Sequence, residues 1–262
     1  MESKRIALVG SGRMAHNLIT GLLQANHRIS HLIARPSKKA HELAKNISAQ
    51  SINIEGVQLE DFDVDLILLA VSDEAIETVS HQFSEEVKKH IPIAHTSAST
   101  PMESLKEFNH FGVFYPFQTM TIGREVIWKE IPIIVESNSP YLEKSLLQLA
   151  GSLSEKYEVM SLVQRKSLHL AGVFVNNFTN HLIHLAENHL KENNINPKLT
   201  HALLQETMLK VMEIGPDSAQ TGPALRGDHR TMKVHLDQLE NKKSTALIYE
   251  LLSKSIQQLN PR

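Results

Sequence analysis

Cysteine is absent from the 262 residues, which excludes disulfides, iron–sulfur ligation and thiolate catalysis. An excess of charge of either sign is lacking too. The 27 Lys and Arg stand against 29 Asp and Glu, for a formal net charge of −2, so there is no electrostatic footprint for nucleic acid or an anionic membrane surface. No apolar run approaches the roughly 20 residues needed to span a bilayer; the longest, "VDLILLAV" at 64–71, is interrupted by Asp65. The opening "MESKRIALVG" passes from a charged tetrapeptide straight into a strand-like run, without the apolar core of about 7–15 residues and the cleavage site of a secretory leader. A soluble cytoplasmic protein is expected, with no nucleic-acid partner, no membrane partner and no metal site.

What is present is enough apolar content, 41%, to bury a core, in a chain long enough for one large domain or two. Up to about residue 160, short apolar or β-branched runs alternate with helical patterns. The runs are "RIALVG" (5–10), "RISHLIA" (28–34), "VDLILLAV" (64–71), "IPIAHTS" (91–97), "FGVFYPF" (111–117) and "IPIIVES" (131–137). Helical stretches are expected at 14–25, 37–46, 73–79 and 140–149. This alternation predicts βαβ units and a mostly parallel, doubly wound sheet, an α/β Rossmann domain over 1–160. Near-continuous apolar strands agree, because a parallel sheet is covered on both faces. From about 161 the β pattern stops. One long helix, with Leu170, Phe174, Phe178, Leu182 and Leu185 at steps of three or four, is followed by further helical patterns at 198–213, 229–240 and 244–258. An all-α domain over 161–262 is expected, for substrate binding and dimerisation.

The first strand runs into Gly10-Ser11-Gly12-Arg13-Met14-Ala15 and then a helix, the G-x-G-x-x-G/A pattern of dinucleotide binding. Gly10 permits the tight turn, Gly12 lets backbone approach a pyrophosphate, and Ala15 keeps the helix close to the strand. The helix start then offers N–H groups and a positive dipole to the phosphates. NAD-binding versions place an acid near the end of the second strand, about 20 residues on, to hold the ribose 2′-hydroxyl. This chain has "LIARPSKK" there: no acid, but Arg35, Ser37 and Lys38, which suit a 2′-phosphate. NADP is therefore favoured over NAD.

Ligands of open parallel sheets lie outside the carboxyl ends of the strands. Val71 and Ser72 end one strand, and Asp73 stands ready to cap the next helix. Thr96 and Ser97 end another, with hydroxyls that suit a nicotinamide amide. Ser99 follows, as a substrate contact or as a cap before Pro101. Gln118 and Thr119, in "YPFQTM", are candidate walls of the substrate site.

"GSGRMA", "AVSD", "HTSAS" and the switch to a long helix near 161 resemble the two-domain NADP oxidoreductases of the 6-phosphogluconate-dehydrogenase-like superfamily. Relatives there include pyrroline-carboxylate reductases, β-hydroxyacid dehydrogenases and deazaflavin-dependent NADP reductases. "FYPFQT", "HLAGVFVNNFTNHL" and "TGPALRGD" are similar to a bacterial branch whose C-terminal domain has no assigned function. The resemblance implies the fold and a nicotinamide cofactor, and hardly any substrate. It also exposes a departure. In β-hydroxyacid dehydrogenases a lysine one turn before an asparagine on the first long helix is the acid/base. If Asn177 matches that asparagine, the lysine position holds Val173, and Lys166 lies too far upstream to replace it. His169, Asn176, Asn177, Asn180 and His184 are expected on one polar stripe of the helix. His169 is the acid/base candidate, with an ordinary pKa near 6.5, and Asn177 a second site residue.

"TGPALRGDHR" at 221–230 packs turn residues and charge into ten positions. In a structural reading Gly215-Pro216 stops one helix, Gly222-Pro223 turns the chain and Asp228 caps the next helix. In a functional reading Thr221 and Arg226 bind an anionic group, and Asp228 or His229 handles a proton. Two functions follow. The first is an NADP(H)-dependent oxidoreductase acting on a small, anionic substrate between the two domains, as a homodimer through the helical domain. The second is a catalytically inactive, dinucleotide-binding regulatory or scaffold protein.

Overall fold

A computed structural model describes residues 3–54 and 63–259. Eight strands form one sheet in the order β3-β2-β1-β4-β5-β6-β7-β8. They are β1 (Arg5–Val9), β2 (Arg28–Ala34), β3 (Gln50–Asn53), β4 (Leu66–Leu69), β5 (Ile93–His95), β6 (Phe111–Pro116), β7 (Ile133–Ser137) and β8 (Tyr157–Val159). Every neighbouring pair is parallel except β6 and β7. The expected α/β sheet is therefore present, with two edge strands, β3 and β8, added to it. The strand order reverses direction between β1 and β4, and at such a switch point the connections leave on opposite faces and open a crevice at the carboxyl edge.

Helices α1 (Arg13–Gln24), α2 (Lys38–Asn46), α3 (Ile76–Ser80), α4 (Glu85–His90) and α5 (Pro140–Leu153) connect the strands. The central strands bury both faces. Ile6, Leu8, Leu66 and Leu68 meet Leu18 and Leu22 of α1 and Leu146 of α5 on one side. Ala7, Val9, Ile67, Leu69 and Ile93 meet Ile76 and Val87 on the other. Each fully buried Leu or Ile contributes about 1.5–3 kcal/mol relative to exposure, so the sheet centre carries most of the stability of this half.

Helical structure then continues as α6 (Leu162–Gly172), a π-helical turn (Val173–Phe178) and α7 (Thr179–Glu192). The unbroken α-helix expected from sequence is not what forms. A π-turn winds more than 3.6 residues per turn, so steps of three, four and seven counted through it no longer return to one face. The single stripe from His169 to His184 is broken for that reason. Beyond it lie α8 (His201–Ile214), α9 (Pro216–Ala219), α10 (Pro223–Arg226), α11 (His229–Gln238) and α12 (Lys243–Gln258).

Contacts divide the chain into two compact units, Met1–Asn176 and Asn177–Arg262. Sequence pattern assigns α6 to the helical half, whereas its contacts tie it to the sheet. Arg165 of α6, 0% exposed, reaches Glu136 on β7 and the carbonyls of Ala98 and Thr100. No helix among the described residues is long and apolar enough to cross a membrane.

Candidate active site at the carboxyl edge of the sheet

The glycine turn follows β1 at the switch point. Gly10 has φ +117°, open to glycine and strained for any other residue. A Cβ there would also lie 2.3 Å from the carbonyl oxygen of Ala70. The turn is thus pressed against the end of β4, and the Gly10 N–H donates to Ile33 O of β2 at 2.8 Å. Gly12 is different: it is exposed, caps α1 with no side-chain cap bond, and an added Cβ would meet nothing within 4 Å. Protein packing does not demand a glycine there, whereas close approach of a pyrophosphate to the backbone would. Ala15, 0% exposed, packs into the core, while Ser11, Arg13 and Met14 stand at or near the surface. The first N–H groups of α1 have no intrahelical acceptors and carry the positive end of the helix dipole.

At the end of β2, Arg35, Ser37 and Lys38 are all exposed. Ser37 Oγ accepts from Ala40 N at 3.1 Å and so caps α2. Among the described residues, Lys38 pairs with an exposed Glu42 at 3.9 Å. Two cations therefore stand at the carboxyl edge with no carboxylate at the strand end. The residues present fit NADP(H): a steric cradle at Gly10 and Gly12, and guanidinium and ammonium groups where a 2′-phosphate would lie.

The other strand ends are more engaged with protein than the sequence pattern implied. Val71 packs at the rim of the core. Ser72, rather than Asp73, occupies the cap position of the 3-10 turn Asp73–Ala75, with no side-chain cap bond. Thr96 donates its hydroxyl to Leu69 O at 3.2 Å. Ser97 Oγ accepts from the N–H groups of Ser99 and Thr100 at 3.1 and 3.0 Å, and donates to Thr100 Oγ1 at 2.9 Å. These hydroxyls shape the loop after β5, and the exposed side chain of that loop is Ser99. Gln118 and Thr119 are exposed and help line a shallow cavity of about 410 Å³ with Arg124 and Glu125.

Beneath this loop lies a charged cluster that the motifs did not reveal. His95 is fully buried. Its Nδ1 accepts from Ser97 N at 3.2 Å and its Nε2 lies 3.3 Å from Pro101 O, which sets the neutral tautomer with the proton on Nε2. Burial, reinforced by the nearby Arg165 cation, lowers its pKa to about 4. Arg165 Nε donates to Ala98 O at 3.0 Å and Nη2 to Thr100 O at 2.8 Å, while Nη1 pairs with Glu136 Oε2. Glu136 Oε1 accepts from Leu162 N at 3.0 Å. One guanidinium therefore joins the loop after β5, strand β7 and the start of α6.

Next to it, Tyr115 is the penultimate residue of β6. Its hydroxyl lies 3.4 Å from Nδ1 of His169 on α6. Burial raises the phenol pKa and Asp73 adds to that, while Arg165 opposes it. His169 is exposed. A phenol and an imidazole thus meet at the carboxyl edge, the one buried and the other open to solvent. The sequence pattern had offered His169 without its partner. A weak signal for the rest existed in the polar Glu136 and His95 within otherwise apolar strands.

The remaining candidates belong to the second unit or to the π-turn. Asn177 lies in that turn. Thr221, Arg226 and His229 are exposed. Asp228 is the N-cap of α11, its two oxygens accepting from Thr231 N at 3.0 Å and Thr231 Oγ1 at 2.7 Å. Those bonds hold its carboxyl below the usual range, so it is ionised and engaged. Gly222 and Gly227, with φ +112° and +68°, bracket the short α10.

Residues 5–97 match the family described as NADP oxidoreductase, coenzyme F420-dependent, and residues 131–256 match a domain of unknown function, DUF2520. No curated protein sequence matches the chain. Among solved structures, "putative NADP oxidoreductase BF3122 from Bacteroides fragilis" is 35% identical over 98% of both chains, with a TM-score of 0.85. A 1-pyrroline-5-carboxylate reductase from Streptococcus pyogenes is 16% identical over 98% of this chain and 99% of its own, at a TM-score of 0.59. An imine reductase from Myxococcus stipitatus, in complex with NADP+, is 16% identical over 97% and 93%, at 0.64. The last two show the shared fold. With the glycine cradle, the basic end of β2 and near-complete alignment at 35% identity, the chain belongs to the NADP oxidoreductase family that joins a Rossmann unit to a C-terminal domain of unknown function.

Proposed function

We propose that this protein is an NADP(H)-dependent oxidoreductase that passes hydride between the nicotinamide and a small, anionic substrate held at the carboxyl edge of β4, β5 and β6. The observation that carries this is the Gly10–Gly12 cradle opening toward exposed Arg35 and Lys38, on the edge that also presents Tyr115 and His169. When bound, the dinucleotide supplies or accepts the hydride. The chain orients it through the N-terminus of α1, holds the 2′-phosphate with Arg35 and Lys38, and sets the loop after β5 through Arg165. His169 is the proton-handling group on α6. The cofactor choice is supported by the relative described as an NADP oxidoreductase and by the imine reductase solved in complex with NADP+.

The test is a fluorescence titration with NADPH and NADH, followed by NADPH oxidation in the presence of α-keto acids and cyclic imino acids. NADPH is expected to bind at least tenfold tighter than NADH and to be oxidised. Failure to bind NADPH overturns the proposal. Binding without turnover by any substrate favours the inactive scaffold, the reading that Val173 at the expected lysine position supports.

We further propose a cytoplasmic homodimer formed through the helical unit. Among its described residues only Ala224, Leu239 and Ser253 are buried, while Leu199, Leu203, Met212, Leu247 and Leu251 are exposed. A helical unit this poor in core, with apolar side chains facing out, requires cover. Light scattering is expected to give the dimer mass, and Leu203→Glu or Leu251→Glu to lower it to the monomer. A monomeric wild-type protein at micromolar concentration overturns the idea.

A further inference from the structure

We infer that Tyr115 is the catalytic proton donor and that the substrate it serves is a carbonyl compound, with His169 as the positioning and recharging partner of the phenol. This rests on the oxidoreductase reading above and deepens it.

The placement comes first. Tyr115 is two residues beyond Val113, which pairs with His95 of β5, so its ring shares a face with His95 at the level where the loop Thr96–Thr100 begins. It packs with Ala98, Val113 and Ile134, and Phe117 lies edge-on with a ring-centroid distance of 6.2 Å. The side chain is 9% exposed and fixed on three sides. Among the described residues its hydroxyl meets the side chain of His169, at 3.4 Å. The charged groups acting on it are Asp73 from the loop after β4 and Arg165 from α6. This is the carboxyl edge outside which a dinucleotide would bind in a sheet whose switch point is between β1 and β4.

The chemistry follows from what a phenol can protonate. A buried tyrosine keeps its proton through the physiological range, since its ordinary pKa is about 10 and burial raises it. An imine must be protonated before hydride reaches it, and a phenol is too weak an acid for that ground-state step. A carbonyl needs its proton only as the oxygen becomes an alkoxide, a far stronger base than phenolate. The Tyr115 O–H bond then breaks as the substrate O–H bond forms. The substrate carbon gains a hydride, which carries two electrons, and the reduced dinucleotide is the group that gives it up. The phenolate left behind is stabilised by Arg165 and takes its proton back from His169, which is exposed and exchanges with water. The missing helix lysine is replaced from the sheet, by a residue at the end of β6.

The test uses the full-length protein with 13C-labelled tyrosine ring carbons. The chain has four tyrosines, so the Tyr115 signal is assigned by its loss in Tyr115→Phe. Saturating NADP+ is expected to shift that signal and to leave Tyr141, Tyr157 and Tyr249 in place; His169→Gln is expected to shift it as well. In single-turnover assays with pyruvate and glyoxylate as probes, Tyr115→Phe is expected to oxidise NADPH at least 100-fold more slowly than wild type, with NADPH affinity within twofold. Reduction of 1-pyrroline-2-carboxylate is expected to be slower than that of either carbonyl probe in wild type. A Tyr115 signal that stays fixed while NADPH fluorescence is quenched overturns this inference alone. Equal rates in Tyr115→Phe and wild type, or a preference for the imine, overturn it too. Absence of quenching in wild type overturns the cofactor reading, and this inference with it.

Discussion

Replacing Arg165 by methionine removes the one group that joins the loop after β5, strand β7 and helix α6. The guanidinium is 0% exposed, while the Glu136 side chain it pairs with is 16% exposed. Taking away one partner of a buried ion pair destabilises by about 3–5 kcal/mol, because the other charge stays behind uncompensated. The carbonyls of Ala98 and Thr100 lose their donors too, at about 1–3 kcal/mol for each buried acceptor left without a partner. These contributions overlap, so we expect a total near 3–5 kcal/mol rather than their sum. Against a typical domain stability of about 5–15 kcal/mol this is large, and it corresponds to a fall in Tm of about 6–20 °C at 2–4 °C per kcal/mol. Trp128 is the single tryptophan of the chain, is 6% exposed, and lies in the sheet-bearing unit, so urea unfolding followed by its fluorescence reports that unit. The double variant Arg165→Met with Glu136→Leu is expected to recover at least half of the loss, since an apolar pair of similar volume leaves no buried charge. A single-variant loss below about 1 kcal/mol, or a double variant no more stable than the single, refutes the clamp.

Gly10→Ala combines a left-handed backbone with a Cβ 2.3 Å from Ala70 O, so both the Trp128-monitored midpoint and NADPH affinity are expected to fall, the affinity by at least 100-fold. Gly12→Ala has open space around its Cβ: NADPH affinity is expected to fall at least tenfold with the urea midpoint unchanged, and a shifted midpoint would count against the cradle. Arg35→Glu with Lys38→Glu reverses the two cations proposed for the 2′-phosphate and is expected to weaken NADPH more than tenfold while NADH, which lacks that phosphate, is unaffected. His95 is neutral in the fold with a pKa of about 4 against about 6.5 when unfolded; the unfolded chain therefore binds the extra proton first, and stability present above pH 6.5 is lost as pH falls toward 4. Between pH 7.5 and pH 5 that loss is about 2 kcal/mol at 1.36 kcal/mol per unit, and His95→Asn is expected to remove that part of the slope in urea midpoints.

What the sequence could announce was whatever a single residue type demands locally. A positive φ beside a carbonyl admits only glycine, so Gly10 is visible in the text of the chain. A helix needs a cap, so Asp228 before α11 is visible as well, and the structure shows its oxygens on Thr231. Central strands read as apolar runs because both faces are covered. The edge strands β3 and β8 carry mostly exposed residues, so no run marked them. The charged cluster under the site had no such local demand. His95, Tyr115, Glu136 and Arg165 are 20 to 70 residues apart, and only the strand order and the docking of α6 bring them together. A lysine motif on the long helix was the natural place to look for a proton donor, because motifs are counted along one element. Tyr115 sits in "FGVFYPF", which reads as one more apolar strand. Its hydroxyl becomes chemically distinct only once the face it shares with His95 is known, and once His169 is seen to approach that face from α6. A site assembled across elements therefore hides its proton donor in the part of the sequence that looks most like core.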